Sequence, residues 1–166
     1  MSGTGINWAS WLLWGWISTI VLTTLMTITQ GARLTRISIP YILGSMLTPS
    51  RDTAKLVGFG IHMLNGWAFS LIYVLAFHSA RTYGIWPGIV AGLTHGAFVA
   101  TFGMWLLPGL HPRMASEQQG PTVMRQLEPP GFLGLNYGLA TPVSILASHL
   151  IYGMILGAFY RPLPGL

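Results

Sequence analysis

Three histidines lie in uncharged, hydrophobic stretches of this sequence. His62 begins the segment HMLNGWAFSLIY, and His149 begins the similar segment HLIYGMILGAFY, while His95 lies in a third such stretch. Neutral imidazole is a favoured ligand of haem iron, copper and zinc, and an ionisable residue within a membrane segment is a functional candidate by default. We therefore take His62, His95 and His149 as the candidate cofactor ligands, with the identity of any metal left unknown.

Two interpretations of these histidines remain open. In the first, His62 and His149 are the axial ligands of a haem b, with Gly66 and Gly153 one turn away leaving room for the porphyrin, or all three histidines bind copper or zinc. In the second, each imidazole only forms a hydrogen bond across a helix interface. The hydroxyl, amide and phenol groups available for that role belong to Asn65, Ser70, Thr94, Ser144, Ser148 and Tyr152. No HxxxH or HxH spacing occurs in the sequence, which favours the packing role.

Other chemistry-bearing groups are few and lie outside the predicted spans. The acidic residues are Asp52, Glu117 and Glu128, and cysteine does not occur. Without a carboxylate at mid-membrane, proton or sodium coupling is not expected. The sequence also has no nucleophile elbow and no phosphate loop. We assign no catalytic residue and expect no activity from the chain on its own, and we expect His78 and His111, near helix ends, to be solvated.

The composition indicates an integral membrane protein. Hydrophobic residues make up 52% of the 166 residues and charged residues 7%, whereas charged residues are about a quarter of an ordinary soluble domain. Uncharged runs long enough to cross a bilayer predict a single transmembrane domain over residues 1–166, all α-helical, with four spans. The predicted spans are at about 8–30, 55–78, 85–107 and 140–160.

Two segments between the spans differ from them. The uncharged run 37–50 is too short to cross a bilayer and contains Pro40 and Pro49, so it predicts a short interfacial helix between the first and second spans. The segment 108–139 is rich in proline and glycine and predicts a long irregular loop. That loop is either a docking surface for a partner or a solvated linker.

Basic residues predict the orientation in the membrane. Six of them flank the spans on one side and two on the other. The six are Arg33, Arg36, Arg51, Lys55, Arg113 and Arg125, and the two are Arg81 and Arg161. The excess of positive charge places the loops with six in the cytoplasm and both termini outside, in the periplasm. Four tryptophans near the start of the first span predict an aromatic belt at the headgroups.

Small residues recur at four-residue spacing along the predicted spans. Gly88, Gly92 and Gly96 form one such stripe, and Gly153 and Gly157 extend another from His149. Close backbone approach at small residues replaces apolar burial as the basis of helix packing in lipid, so these stripes predict the inward faces of a four-helix bundle. The similarity of the two histidine segments indicates either two duplicated hairpins or chance similarity between apolar helices.

A resemblance supports the same fold. The segments PYILGSML, GFGIHMLNGWAFSLIY, GIVAGLTHGAFVA and SHLIYGMILGAFY together resemble a family of small bacterial four-helix membrane proteins of unknown function. The positions that carry it are His62, Gly66, Gly92, His95, His149 and Gly153. The resemblance implies a four-helix protein of the bacterial inner membrane, and it assigns no catalytic residue.

The functional hypothesis that follows is an accessory, non-catalytic subunit of a larger respiratory or other electron-transfer membrane complex. The alternative is a membrane electron carrier that binds haem b or copper through His62 and His149. A small channel or a lipid-interacting protein is a weaker alternative. The expected partners are the lipid bilayer and other membrane subunits. The net charge of +5 is explained by attraction to anionic headgroups and does not call for nucleic acid.

Overall fold

The computed structural model describes residues 5–116 and 119–164, and this part of the chain is built from six α-helices. In chain order they are α1 (Trp8–Gly31), α2 (Ile39–Ser45), α3 (Arg51–Ala80), α4 (Ile85–Phe98), α5 (Met104–Leu110) and α6 (Thr141–Phe159). A π-helical segment, Val99–Gly103, joins α4 to α5, and a 3₁₀ helix, Phe132–Tyr137, precedes α6. Glu117, which we expected outside the spans, lies outside the described residues.

Four helical runs are long and apolar enough to cross a membrane, which confirms the predicted number. They are α1, α3, the continuous run Ile85–Leu110 and α6, with mean hydropathies of 1.4 to 1.6 over their most apolar windows. The predicted boundaries are close to the observed ones. The largest difference is at the start of α3, which begins at Arg51 rather than at residue 55. The first turn of α3 contains charged residues, so the apolar pattern of the sequence did not show where this helix begins.

The four long helices contact one another unequally. α4 packs along α6, α6 also packs against α1, and α1 packs against α3. Contacts of α3 with α4 and with α6 are slight. Each predicted hairpin therefore consists of two neighbouring helices, but the helices do not close into an evenly packed ring. The structure does not confirm a compact bundle or a duplication.

Close packing of α4 on α6 depends on the glycine stripes. A Cβ atom at Gly88 would lie on the carbonyl oxygen of Gly153, and one at Gly92 would lie on the carbonyl oxygen of His149. Only glycine lets two helix backbones approach to this distance. The stripes predicted from sequence are therefore the contact faces of this helix pair.

The predicted short helix between the first two spans is present as α2. It packs on α3, where a Cβ at Gly58 would meet the carbonyl of Pro40, and its Ile42 is buried.

The segment 108–139, which we predicted as a long irregular loop, is more ordered than we expected. Met114 and Tyr137 from it are buried, and the backbone N–H of Arg36 donates to the Tyr137 carbonyl at 2.7 Å. This connection folds back over one end of the helices.

The tryptophans of α1 make more contacts within the protein than a headgroup belt requires. Trp11 stacks on Trp67 of α3 with ring centroids 4.6 Å apart, and Trp16 stacks on Trp67 at 5.9 Å. Trp14 stacks on Phe159 of α6. Since indole rings contribute large contact areas, these tryptophans stabilise the packing of α1 on both α3 and α6.

Candidate functional site

His62 is half-buried on α3 and bonds to α1. Its Nδ1 lies 3.0 Å from the hydroxyl of Thr23, and that hydroxyl also lies 2.8 Å from the carbonyl of Thr19. A hydroxyl has one proton and a carbonyl can only accept, so Thr23 donates to Thr19. His62 must then donate from Nδ1 to Thr23, which leaves the lone pair on its Nε2.

His149 is buried on α6 and bonds within its own helix. Its Nδ1 lies 2.8 Å from the carbonyl oxygen of Ile145, one turn earlier. Because the carbonyl only accepts, Nδ1 carries the proton here too. The Nε2 of His149 therefore also carries a lone pair.

His95 joins three helices. Its Nδ1 lies 3.0 Å from the hydroxyl of Tyr73 on α3, and its ring stacks on Phe69 with centroids 4.5 Å apart. The same ring meets His149 edge-on at 4.7 Å. Nearby, the hydroxyl of Tyr152 donates to the Gly66 carbonyl at 2.5 Å. Histidine and tyrosine side chains thus provide polar and aromatic contacts where α3 meets α4 and α6.

The hydrogen-bond partners of these histidines differ from those expected from sequence. Thr23, Tyr73 and the Ile145 carbonyl take that role, and none of the six expected side chains bonds His62, His95 or His149 within the described residues. Four of the six have other partners, since Ser70 accepts from Trp11, Ser144 bonds Thr29, Thr94 donates to Val90 and Tyr152 donates to Gly66. Sequence spacing shows which residues share a helix face, but not which faces meet.

The surroundings of the histidines bear directly on the cofactor hypotheses. Among residues 5–116 and 119–164, no group of three or more histidine, cysteine or acidic side chains lies close enough to hold a metal ion. The space expected for a porphyrin beside Gly66 is filled by the side chain of Thr19, and that beside Gly153 by the backbone of Gly88. A porphyrin at these glycines would require the helices to move apart.

Asn65 is a polar residue that faces outward at the middle of a span. Asn65 lies fourteen residues after Arg51 and fifteen before Ala80, the two ends of α3, which is about 21 Å from the first and about 23 Å from the second at 1.5 Å per residue. Its side chain is exposed and hydrogen-bonds no residue in the described part of the chain. The sequence offered Asn65 only as an interior partner for histidine, because its apolar neighbours do not distinguish an inward face from an outward one.

The remaining two histidines are not solvated as expected. His78 lies between two phenols, with its Nε2 2.8 Å from the Tyr160 hydroxyl and its Nδ1 3.1 Å from the Tyr83 hydroxyl. Burial raises the pKa of Tyr160, so this phenol stays neutral near pH 7. The Tyr160 hydroxyl also accepts from the backbone N–H of Asn7. This cluster ties the start of α1 to the ends of α3 and α6.

His111 is 3% exposed and connects α5 to α2 at the opposite end of the helices. Its Nδ1 accepts from the backbone N–H of Arg113 at 3.1 Å, so its Nε2 carries the proton and donates to the Ile42 carbonyl at 2.9 Å. Burial is the main cause of the lowered pKa of His111, and the charge of Arg113 adds to it. The neutral ring is therefore the form that fits this site.

Comparisons with protein-family models, curated proteins and solved structures found no match for this chain. Its function must therefore be inferred from its own residues and their geometry.

Proposed function

We propose that this protein is an accessory, non-catalytic integral membrane subunit that docks on another membrane protein through the middle of α3. The observation that carries the proposal is the exposed side-chain amide of Asn65 at the centre of a span, which bonds no residue among those that the structure describes. The host complex that we expect from the sequence is respiratory or otherwise concerned with electron transfer.

An amide at this depth favours a protein neighbour over lipid. Hydrocarbon offers no hydrogen-bond partner, and a polar group left unpaired there is costly. Asparagine across a helix interface gains about 1–2 kcal/mol in model peptides and about 0.6 kcal/mol on average in a folded membrane protein. A neighbouring helix that presents a donor or acceptor at mid-membrane would satisfy Asn65.

The residues around Asn65 suit close helix packing. Ala68, Ile72 and Ala76 follow at three, seven and eleven residues, which places them on the same side of α3, and all three are exposed. We call Asn65, Ala68, Ile72 and Ala76 the Asn65 face. Its two alanines allow the backbone of a partner helix to approach, as small residues do in membrane interfaces.

A non-catalytic role is supported by how the interior polar groups are used. Each of the three mid-span histidines forms a hydrogen bond through its Nδ1 atom to a threonine, a tyrosine or a backbone carbonyl. Asp52 lies in the first turn of α3, at the end of the span. These contacts are those of packing groups rather than of an ion-coupling site.

Photo-crosslinking in native membranes tests the proposal. A photoreactive amino acid at Ile72 is expected to give an adduct with another membrane protein, because Ile72 lies on the Asn65 face. The matched control places the same label at Val90, which is 64% exposed on α4 and lies on a different surface. The Val90 label is expected to give no such adduct.

Asn65→Leu provides the second arm of the test. This change is expected to abolish the Ile72 adduct while leaving the thermal stability of the isolated protein unchanged, because Asn65 has no partner among the described residues. An adduct whose mass is twice that of the 18.1 kDa chain would identify a second copy as the partner and overturn the accessory role. Purification in mild detergent as a single monodisperse chain, with no adduct, would also overturn the accessory role.

A second candidate is the metal-dependent electron carrier, and one observation favours it. His62 and His149 both donate from Nδ1 to protein acceptors and leave the Nε2 lone pair available. Metal-binding histidines are usually oriented in this way. Copper needs no space for a porphyrin, so the filled positions beside Gly66 and Gly153 count against haem b more than against copper.

A visible spectrum and a metal analysis of the purified protein test this candidate. Haem b would give a Soret band, and copper would be present in stoichiometric amount. Loss of that signal in both His62→Ala and His149→Ala would support the carrier. A protein with no Soret band and no stoichiometric copper would exclude it, while leaving the docking proposal untouched.

A further inference from the structure

A cleft of about 560 Å³ opens at the end of the protein where α1 ends and α3 begins. Its walls come from the end of α1, from α2, from the start of α3 and from the segment that precedes the 3₁₀ helix. Its size is within the range of about 300–1,000 Å³ that is usual for small-molecule sites. Because four separate parts of the chain form it, the cleft exists only in the folded protein.

The cleft carries an excess of positive charge. Arg36, Arg51 and Lys55 line it together with a single carboxylate, Glu128, so the balance is three positive charges against one negative, or +2. The Arg36 guanidinium is already engaged, since it lies 3.1 Å from the Glu128 carboxylate and also donates to a backbone carbonyl. The side chains of Arg51 and Lys55 form no hydrogen bond or ion pair with any residue in the described ranges.

The neutral groups of the cleft do not offset this charge. Burial raises the pKa of Tyr137 to about 12, so its phenol stays uncharged at neutral pH. Its hydroxyl donates to the backbone carbonyl of Glu128 at 2.6 Å. Tyr41 and Gln30 add a hydroxyl and an amide to the lining. An anion in the cleft would therefore find two free cations and further neutral donors.

The cations continue into an apolar surface along one face of α3. Arg51, Lys55 and Phe59 follow each other at four-residue spacing, so they lie one above the other on the helix. Phe59 is 46% exposed and lines the same cleft one turn further into the span. A ligand along this face would meet positive charge at the end of the helix and an aromatic ring nearer the middle of the span.

We propose that this cleft binds an anionic phospholipid, with the headgroup phosphate on Arg51 and Lys55 and an acyl chain against Phe59. Phosphate accepts charge-assisted hydrogen bonds from arginine and lysine, and basic pockets at the ends of membrane helices suit anionic headgroups. A soluble phosphate compound shares the headgroup chemistry, but it has no part that would use Phe59. The order of charge and apolar surface therefore favours the lipid.

Competition binding on the full-length protein in an uncharged mild detergent tests the site. The probe is fluorescent phosphatidylglycerol, and the competitors are unlabelled phosphatidylglycerol, phosphatidylcholine and inorganic phosphate. Only unlabelled phosphatidylglycerol is expected to displace the probe. The variant R51Q/K55Q is expected to bind the probe about tenfold to thirtyfold more weakly, from the loss of two cations near the headgroup. R51K/K55R, which keeps both charges, is expected to bind within about threefold of the wild type.

The matched control is R33Q/R125Q, which removes two positive charges that do not line this cleft. Equal weakening by R33Q/R125Q and R51Q/K55Q would overturn the site and leave only a general charge effect. Displacement by phosphatidylcholine as strong as that by phosphatidylglycerol would also overturn it. Displacement by inorganic phosphate at the same concentration would overturn the assignment to a lipid, as would unchanged probe binding by Phe59→Ala.

Discussion

The two helix pairs of this protein are held together in different ways. In the pair α4 and α6, backbone meets backbone, with Gly88 against the carbonyl of Gly153 and Gly92 against that of His149. In the pair α1 and α3, side chains fill the interface. Thr23 bonds His62 there, and Trp11 donates to Ser70 at 2.8 Å.

The repeated sequence pattern does not give the two helix pairs the same contacts. Gly66 and Gly153 hold the same position after His62 and His149, yet Gly66 faces the side chain of Thr19 whereas Gly153 faces the backbone of Gly88. A side chain can rotate or be replaced by a smaller one, and a backbone carbonyl cannot. The two pairs should therefore respond differently to the same substitution.

The largest expected effect is in the backbone-packed pair. Gly92→Ala places a methyl group on the His149 carbonyl, and overpacking of this kind costs about 1–3 kcal/mol, with G88A/G92A costing more than about 3 kcal/mol. The measurement is the free energy of unfolding in detergent. Gly60→Ala is the matched control, because Gly60 on α3 has open space around it. A Gly60→Ala variant as unstable as Gly92→Ala would contradict the comparison.

The next effect is in the side-chain-packed pair. Gly66→Ala is expected to cost about 1–2 kcal/mol, toward the low end of overpacking, because its methyl group meets the end of the Thr19 side chain. The double variant T19A/G66A should recover most of that loss, since alanine removes the clashing atoms. Failure of Thr19→Ala to rescue the variant would show that both pairs are equally rigid.

A smaller effect is expected from the polar contact between α1 and α3. Thr23→Val keeps the side-chain shape but removes the hydroxyl that accepts from His62, at a cost of about 0.6–1 kcal/mol in the free energy of unfolding. Thr94→Val is the control, because Thr94 is exposed and bonds only its own helix, at Val90. If both variants lose the same stability, the bond to His62 contributes nothing to helix association.

The most gradual effect is expected from pH. Side-chain contacts can titrate, unlike backbone contacts, and the buried ring of His111 has a lowered pKa. The unfolded chain then binds a proton more readily than the folded one, so the contribution of His111 is complete above its unfolded pKa of about 6.5 and is lost as the pH falls below it. The melting temperature should decline on acidification, and less steeply in His111→Asn. Equal slopes for the two proteins would contradict this role.

Much of the fold follows from the sequence, because span length and apolarity are local properties. The four long helices, α2 and the glycine stripes were all predicted, and the stripe of Gly88 and Gly92 lies at a helix contact, although the sequence did not show that its neighbour is α6. Less of the candidate site could be predicted. Thr23 and Tyr73 were not recognised as histidine partners. His111 was expected to be solvated, because no local pattern shows that the segment following it folds over its side chain.

The sequence by itself indicated a membrane environment, and it determined the number of spans and the residues that share each helix face. Composition and helical periodicity are sufficient for these, because both are read from neighbouring residues. The tertiary structure alone decided that Asn65 faces outward and that Arg51, Lys55 and Glu128 share one cleft. In a membrane protein both the interior and the surroundings are apolar, so hydrophobicity cannot distinguish an inward face from an outward one. Only the packing of the helices against each other makes that choice.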